Sequence, residues 1–310
     1  MHQIISIGSA LVDIFLHTHK FRVKEVDSDV MLCHTYGGKL EIDSFNVFTG
    51  GGGGNTAVGF SRLGFQTSVV CETGRDSFSE LVKSDLKKNG VATNLIIEEK
   101  KEQTGGSVIL ICPEGERSVL VHRGAAGMLD PFDISAYWLS QAQWVHLTSI
   151  GGNQDTLEKI FQYVGRNNYA NLSWNPGKKE LALLSNRQLS VKIISCEVFF
   201  VNTEEWSMIA NVQGEVLQSF RYVVVTAGKR GGDVYYNNEH VLHFPALDGP
   251  PIDATGAGDA FATGFVAGIL WEKSIKESAE IGAKNAASVI KYYGAKTGLL
   301  TKEDLAQPNL

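Results

Sequence analysis

Residues 253–264 read Asp-Ala-Thr-Gly-Ala-Gly-Asp-Ala-Phe-Ala-Thr-Gly, and this stretch decides how the chain is read. It is a glycine turn that opens into a small-residue helical run, with one carboxylate, Asp259, at the join. Where a helix begins without bulky side chains, the unpaired N–H groups of Gly256, Ala257 and Gly258 can approach a ligand closely. Helix polarity adds partial positive charge there, so the turn is built to hold an anion, with Thr255 placed to cap the first turn. A carboxylate beside a bound anion gains nothing electrostatically from that position, and accepting a proton from an attacking hydroxyl is the natural job for Asp259. The alternative is a tight strand-to-helix connection with an acidic residue favouring the first turn.

Other phosphate-binding patterns do not fit. Gly-x-Gly-x-x-Gly would need glycine at 261, where the chain has Phe261. Lys39, Lys178 and Lys229 follow glycines, yet none precedes Ser or Thr, so a Walker-type loop is unsupported.

The bulk properties narrow the class. At 310 residues the chain suits one large α/β domain or two domains at about 150 residues each. A formal net charge of -6 leaves no basic footprint for nucleic acid or an anionic membrane. Cys33, Cys71, Cys112 and Cys196 form no Cys-x-x-Cys pair and fall mostly in apolar runs, which points to reduced thiols in a cytoplasmic protein. The start, Met-His-Gln-Ile-Ile-Ser-Ile-Gly, lacks a basic leader and reads as a first buried strand. Residues 134–154 carry no Asp, Glu, Lys or Arg, but Gln141, Gln143, His146 and Asn153 interrupt them, against a membrane span.

Apolar runs at 4–7, 67–71, 144–147, 198–202 and 223–226 read as strands, alternating with helical patterns at 55–63, 78–89 and 154–166. That order predicts a mostly parallel sheet with helices on both faces. Two regions, about 11–47 and 95–123, supply strands without intervening helices. Within the second, 107–112 and 117–122 flank Pro-Glu-Gly-Glu and predict a β-hairpin. Together these regions predict a small sheet acting as a lid over ligands at the carboxyl ends of the main strands.

Gly50 through Gly54 are five successive glycines ending at Asn55, followed by Arg62-Leu63-Gly64. Five glycines carry a large entropy penalty on folding, so their backbone is expected to lie against something, such as a polar ligand. Asn55 offers an acceptor and two donors, which suits a pair of sugar hydroxyls. A flexible connection is the alternative.

With these motifs in order, the chain resembles the ribokinase, or PfkB, family of carbohydrate and nucleoside kinases over nearly its whole length. Gly50 to Asn55 is similar to the family's Gly-Gly-x-x-x-Asn, with Thr56-Ala57, Gly64 and Gly74 following at the family's spacing. Gly256 to Asp259 is its Gly-Ala-Gly-Asp, Asn202-Thr-Glu-Glu205 resembles Asn-x-x-Glu, and Thr226-Ala-Gly228 resembles the Thr-x-Gly of the nucleotide loop. The resemblance implies a single ribokinase-like three-layer α/β/α domain over 1–310, with a mostly parallel central sheet and a small β-sheet lid.

It also implies roles. Asp259 would be the base, with Gly256, Ala257 and Gly258 forming the anion hole. Asp13, Gly51 and Asn55 would bind the sugar. Thr226, Gly228 and Lys229 would line the ATP site, with Asn285 near the base. Asn202 and Glu205 would hold Mg²⁺ through water, and Asp253 is similar to an aspartate that binds a monovalent cation, K⁺, in some members. Simpler readings stand beside these: a turn at Asp13, and a helix cap and first-turn carboxylate at Asn202 and Glu205. His122 and Arg123 sit after the hairpin, either reaching substrate or edging the lid, and Lys229 and Arg230 are loop bases placed to meet phosphates.

The chain departs from the family at Ala254, in place of Thr, and at Gly52, where ribokinases tend to carry Lys. It departs again at Asn175-Pro-Gly-Lys178, where many sugar kinases show Asp-x-Asn-x-Arg; the last departure weakens a fructokinase reading in particular, and Gly52 weakens ribose as the substrate. Phe15, Phe45 and Phe48 leave room for a nucleoside kinase with a pocket for a second base. A catalytically silent sugar or nucleotide sensor is a further alternative, which the intact Asp259 and its glycines oppose. Val108, Leu110 and Val119 on an open sheet face predict a homodimer through the lid.

Overall fold

Within the main strands, successive apolar residues face opposite ways, and this alternation creates two cores rather than one. Ile4, Trp144, Val198, Phe200 and Val224 pack on one side with Phe60, Phe261 and Phe265. Ile5, Ile7, Val145, Leu147, Phe199 and Val223 pack on the other with Leu157, Phe161, Leu181 and Val216. In the computed structural model, which describes residues 3–27, 29–99, 101–112, 117–167, 170–247, 249 and 251–307, the sheet is therefore sandwiched between helical layers. Phe60, Phe161, Phe199 and Phe265 are fully buried, each contributing about 1.5–3 kcal/mol by leaving water.

From edge to edge the eight strands run Glu239–Phe244, Gly232–Tyr236, Tyr222–Thr226, Val198–Asn202, Asn171–Trp174, Trp144–Leu147, Gln3–Ile7 and Gln66–Val70. The last six are parallel, and the first two add an antiparallel edge. Helices Gly52–Arg62, Ala257–Leu270 and Ile275–Val289 cover one face, and Gln154–Asn167, Lys178–Ser185 and Gln213–Ser219 the other. The two long C-terminal helices touch at small residues: a Cβ on Gly264 would lie 2.8 Å from the Gly282 Cα. No helix of the described residues is long and apolar enough to cross a membrane.

A separate four-stranded sheet has the order Arg117–His122, Gly106–Ile111, Leu11–His17, Ser44–Gly50. The expected hairpin is present, with Val119 opposite Ile109; its turn, 113–116, lies outside the described residues. Only the ends of the 11–47 region join this sheet, because Arg22–Val26 and Asp29–Cys33 pair with each other instead.

Register sorts the small sheet into two faces. Asp13, Phe15, Phe48, Ser107, Ile109 and Arg117 share the face turned toward residues 251–255 and Tyr293. Ile14, Leu16, Val47, Val108, Leu110 and Leu120 share the opposite, outer face with Phe45, and Phe45 and Leu120 are 60% and 62% exposed. Val119 belongs to the inner face, so it does not extend the apolar surface of Val108 and Leu110 as expected from the sequence.

Candidate active site

Two glycine turns and the carboxyl ends of the parallel strands converge on one cleft. The helix Gly52–Arg62 starts after Gly51, whose φ of 90° lies in the region that favours glycine. Its first turn is pressed against the loop that leaves the strand Gln3–Ile7: Gly54 N–H donates to the Ser9 carbonyl at 3.0 Å, and a Cβ on Gly53 would meet the Gly8 carbonyl carbon at 2.7 Å. At Gly53, therefore, the neighbour that demands glycine is the protein's own backbone.

This packing aims Asn55 across the cleft. Its Nδ2 donates to Asp259 Oδ2 at 2.8 Å, joining residues 204 positions apart, while its buried Oδ1 has no partner among the described residues. A buried acceptor left open costs free energy that a donor from outside the chain would recover.

Asp259 sits in the first turn of the helix Ala257–Leu270, behind Gly256, whose φ of 79° and ψ of 0° are left-handed. A Cβ on Gly256 would lie 2.4 Å from the Ala295 Cβ. No side chain caps this helix. Thr255, expected to cap it, instead donates its hydroxyl to Asp253 Oδ1 at 2.6 Å. The carboxyl of Asp259 lies at the floor of the cleft, touching solvent yet surrounded by protein mass, and this desolvation pushes its pKa up to about 6. The Asn55 hydrogen bond pulls the other way, and the nearby negative charge of Glu205 adds a smaller upward push.

Asn202 and Glu205 form a reciprocal cap on the helix Thr203–Met208. Asn202 Oδ1 accepts from the Glu205 N–H at 2.9 Å, and Glu205 Oε2 accepts from the Asn202 N–H at 2.8 Å. The capping role read from the sequence is thus real, and the influence of Glu205 on Asp259 places its charge toward the same cleft. Burial raises the Glu205 carboxyl above its ordinary range.

Asp13 is not at a turn. It lies inside the strand Leu11–His17 of the small sheet, buried, with Oδ1 accepting from the Ser107 hydroxyl, and a Cβ on Gly50 would meet its Oδ2 at 2.0 Å. Desolvation raises its pKa, opposed by the Ser107 bond and the charge of Lys296. Lys296 itself is buried against Asp85 and Thr49.

Thr226, Gly228 and Lys229 line a cavity of about 290 Å³ whose lining also includes Ala257, Gly258 and Phe261 of the helix Ala257–Leu270, Ala283 and Ala286 of the helix Ile275–Val289, and Ile290 just after it. Asn285, expected at the nucleotide, is fully buried behind this lining. Its Nδ2 donates to the Ala260 carbonyl and Thr263 Oγ1 at 2.8 and 3.1 Å, and its Oδ1 accepts from the Leu300 N–H at 2.9 Å, so it ties the helices together. His122 faces Glu102 at 3.6 Å and Arg123 is exposed.

Three residues of this region escaped the sequence reading. Ser107 holds Asp13, and Arg117 pairs with Asp253. Glu180, fully buried, accepts from the N–H groups of Ile150 and Gly152, both at 2.9 Å, and so fixes the loop that leaves the strand Trp144–Leu147. The Glu180 pattern, a carboxylate three residues after Gly177 at a helix start, was a readable capping signal.

The profile of the pfkB family carbohydrate kinase matches residues 1–302. The chain is 26% identical over 300 residues to the ATP-dependent ribose-1-phosphate kinase of Halopiger xanaduensis, covering 96% of this chain and 95% of that protein. Its fold matches Arabidopsis thaliana ribokinase complexed with ribose and ATP at a TM-score of 0.78 and 18% identity, over 98% and 97% of the two chains. It also matches a Burkholderia thailandensis nucleoside kinase in complex with inosine at a TM-score of 0.77 and 16% identity, over 98% and 96%. The chain belongs to the pfkB family of carbohydrate kinases and has the ribokinase-like fold: it is a phosphotransferase with an alcohol group as acceptor.

Proposed function

We propose that this chain transfers the terminal phosphoryl group of MgATP to a hydroxyl of a small sugar or sugar derivative, with Asp259 as the general base. The observation that carries the reading is the Asn55–Asp259 bond. It sets a carboxyl of raised pKa between the glycine turn on the sugar side and the cavity behind Thr226, Gly228 and Lys229.

ATP lies in that cavity with its phosphates toward the uncapped start of the helix Ala257–Leu270, where Gly256, Ala257 and Gly258 form the anion hole. The sugar lies between Asp13, Gly51 and Asn55, and one of its hydroxyls donates to the open Asn55 Oδ1. Asp259 accepts the proton of the attacking hydroxyl as the phosphoryl group moves. In a loose transition state that proton leaves late, so position matters more than basicity. Asn202 and Glu205 offer hard oxygen donors, which fits Mg²⁺ held through water. Bound there, Mg²⁺ supplies charge neutralisation for the phosphates.

The small sheet is the lid, and the chain pairs with a second copy through its outer face, where Phe45, Val47 and Leu120 present apolar surface. The free thiols of Cys33, Cys71 and Cys196 support a cytoplasmic location. A nucleoside kinase is the second reading, favoured by the ring cluster Phe15, Phe48 and Tyr293 on the sugar side, with centroids 5.5 and 5.9 Å apart; Phe45 lies on the other sheet face.

The test is ATP consumption with Mg²⁺ against ketoses, aldoses, sugar acids, sugar phosphates and nucleosides, with product mass by spectrometry. Phosphorylation of one sugar class is expected. A purely nucleoside profile selects the second reading, and tight binding without product on any compound identifies a sensor instead.

A further inference from the structure

Asp253, six residues before Asp259, is the position at which the family resemblance implies a bound monovalent cation, and its surroundings do not fit one. A carboxylate offers about four lone-pair directions. Three protein donors crowd Oδ1, the Thr255 N–H at 3.0 Å, the Thr255 hydroxyl at 2.6 Å and Arg117 Nη1, so that oxygen is saturated, while Oδ2 accepts from the Gly294 N–H at 3.1 Å. The Asp253 side chain is 2% exposed and that of Arg117 is 40% exposed, so the anion is sunk in the protein and its charge partner reaches in from the surface. A second Arg117 contact, Nη1 to Thr255 Oγ1 at 3.0 Å, ties the guanidinium to the same turn.

The need for a cation here is electrostatic. Asp13 and Asp253 are close enough to raise the Asp13 pKa by mutual repulsion, and a buried carboxylate without a counter-charge is strongly disfavoured. Lys296, ion-paired with Asp85, also acts through its charge on Asp13, and Arg117 pairs with Asp253. Arg117 comes from the small sheet, 136 positions away, and it meets the turn that leads directly into Gly256 and the start of the helix Ala257–Leu270.

We infer that Arg117 is the resident cation of the Asp253 turn: a positioning residue that holds the anion-hole loop in place and makes added alkali cations dispensable. The effect on turnover rests on the kinase reading above; the cation preference of the turn does not.

The experiment compares wild type, Arg117→Met and Arg117→Lys in KCl, NaCl and choline chloride at equal ionic strength, by initial rate on an acceptor and by thermal melting. Wild type is expected to turn over within about twofold of the same rate in all three salts. Arg117→Met is expected to lose turnover about 10- to 100-fold in choline, as for a misplaced reacting group, and to regain most of it with KCl or millimolar guanidinium, while Arg117→Lys stays active in choline. Melting of Arg117→Met is expected to rise in KCl over choline, with wild type indifferent. Strong potassium activation of wild type overturns the inference. So does wild-type behaviour of Arg117→Met in choline, or a loss that neither cations nor Arg117→Lys restores. If no acceptor is turned over by wild type, that result counts against the kinase reading, and the melting series alone decides the role of Arg117.

Discussion

The floor of the cleft and the small sheet above it are built by opposite means. The floor is local: Gly256, Ala257, Gly258 and Asp259 follow one another in sequence, and their geometry is set by a left-handed glycine packed against Ala295 and by a helix buried along its length. The small sheet is assembled from strands drawn from residues 11–17, 44–50, 106–111 and 117–122, and its inner face meets the turn before the floor through Arg117. Its outer face is exposed at Phe45, Val47 and Leu120. On the proposed reading, a continuous segment carries the chemistry, whereas a discontinuous one carries recognition and closure.

The largest expected effect strikes the floor. Asp259→Asn is expected to lower turnover by about 10²–10⁴-fold, the span of general-base catalysis, with acceptor binding by calorimetry nearly intact. The same variant tests the desolvation of Asp259. Because the folded pKa is raised to about 6, ionisation of this group is unfavourable to folding, and its stabilising contribution is lost as pH rises from the ordinary value of 3.8 through 6. Asp259→Asn is therefore expected to melt higher than wild type at pH 8, with the difference shrinking toward pH 4; a difference that does not change with pH would refute the shift.

Gly256→Ala comes next. A left-handed φ and the crowding of Ala295 together predict a loss of about 2–4 kcal/mol in denaturant unfolding, and turnover should fall with the displaced turn. Asn55 bonds Asp259 from the glycine turn proposed to hold the sugar, so its removal sharpens the comparison through pH. In wild type, kcat/KM for the acceptor should decline as pH falls below about 6, where Asp259 takes a proton. Asn55→Ala removes a donor to the charged form, so the acid limb should move to higher pH; movement to lower pH, or none, would separate the limb from Asp259. The smallest effect belongs to the outer face of the small sheet. Leu120→Glu should convert a dimer to a monomer in sedimentation, while turnover changes by less than about twofold if that face serves association alone.

Legibility in the sequence follows the same division. The 253–264 turn was readable because glycine, carboxylate and small-residue helix are contiguous, and the parallel core because Ile and Val alternate between two buried faces. The strand Asn171–Trp174 was not, since Asn-Leu-Ser-Trp is four residues long and half polar. The edge strands Gly232–Tyr236 and Glu239–Phe244 hid behind exposed polar positions, although the turn at Asn237-Asn238 with positive φ was a hairpin signal. Asn285 was expected at the nucleotide from the family resemblance, and helix phase puts it on the inward face, where Ala260, Thr263 and Leu300 claim its amide. Arg117 gave no signal, because an arginine after a hairpin turn reads as solvated until its partner 136 residues later is brought beside it.

The Arg117–Asp253 pair also changes what the surrounding medium controls. A free ion fills a site according to its concentration outside, whereas a charge on a hairpin fills it according to an effective concentration fixed by the reach of that hairpin. Occupancy of the turn then follows the position of the small sheet rather than the salt composition of the cell. The same arrangement links two events that a diffusing ion would leave independent: whatever lifts the sheet from the cleft also withdraws the counter-charge of a buried carboxylate. An open lid and an ordered anion hole would then rarely coexist, which disfavours wasteful transfer of phosphate to water while the cleft is exposed.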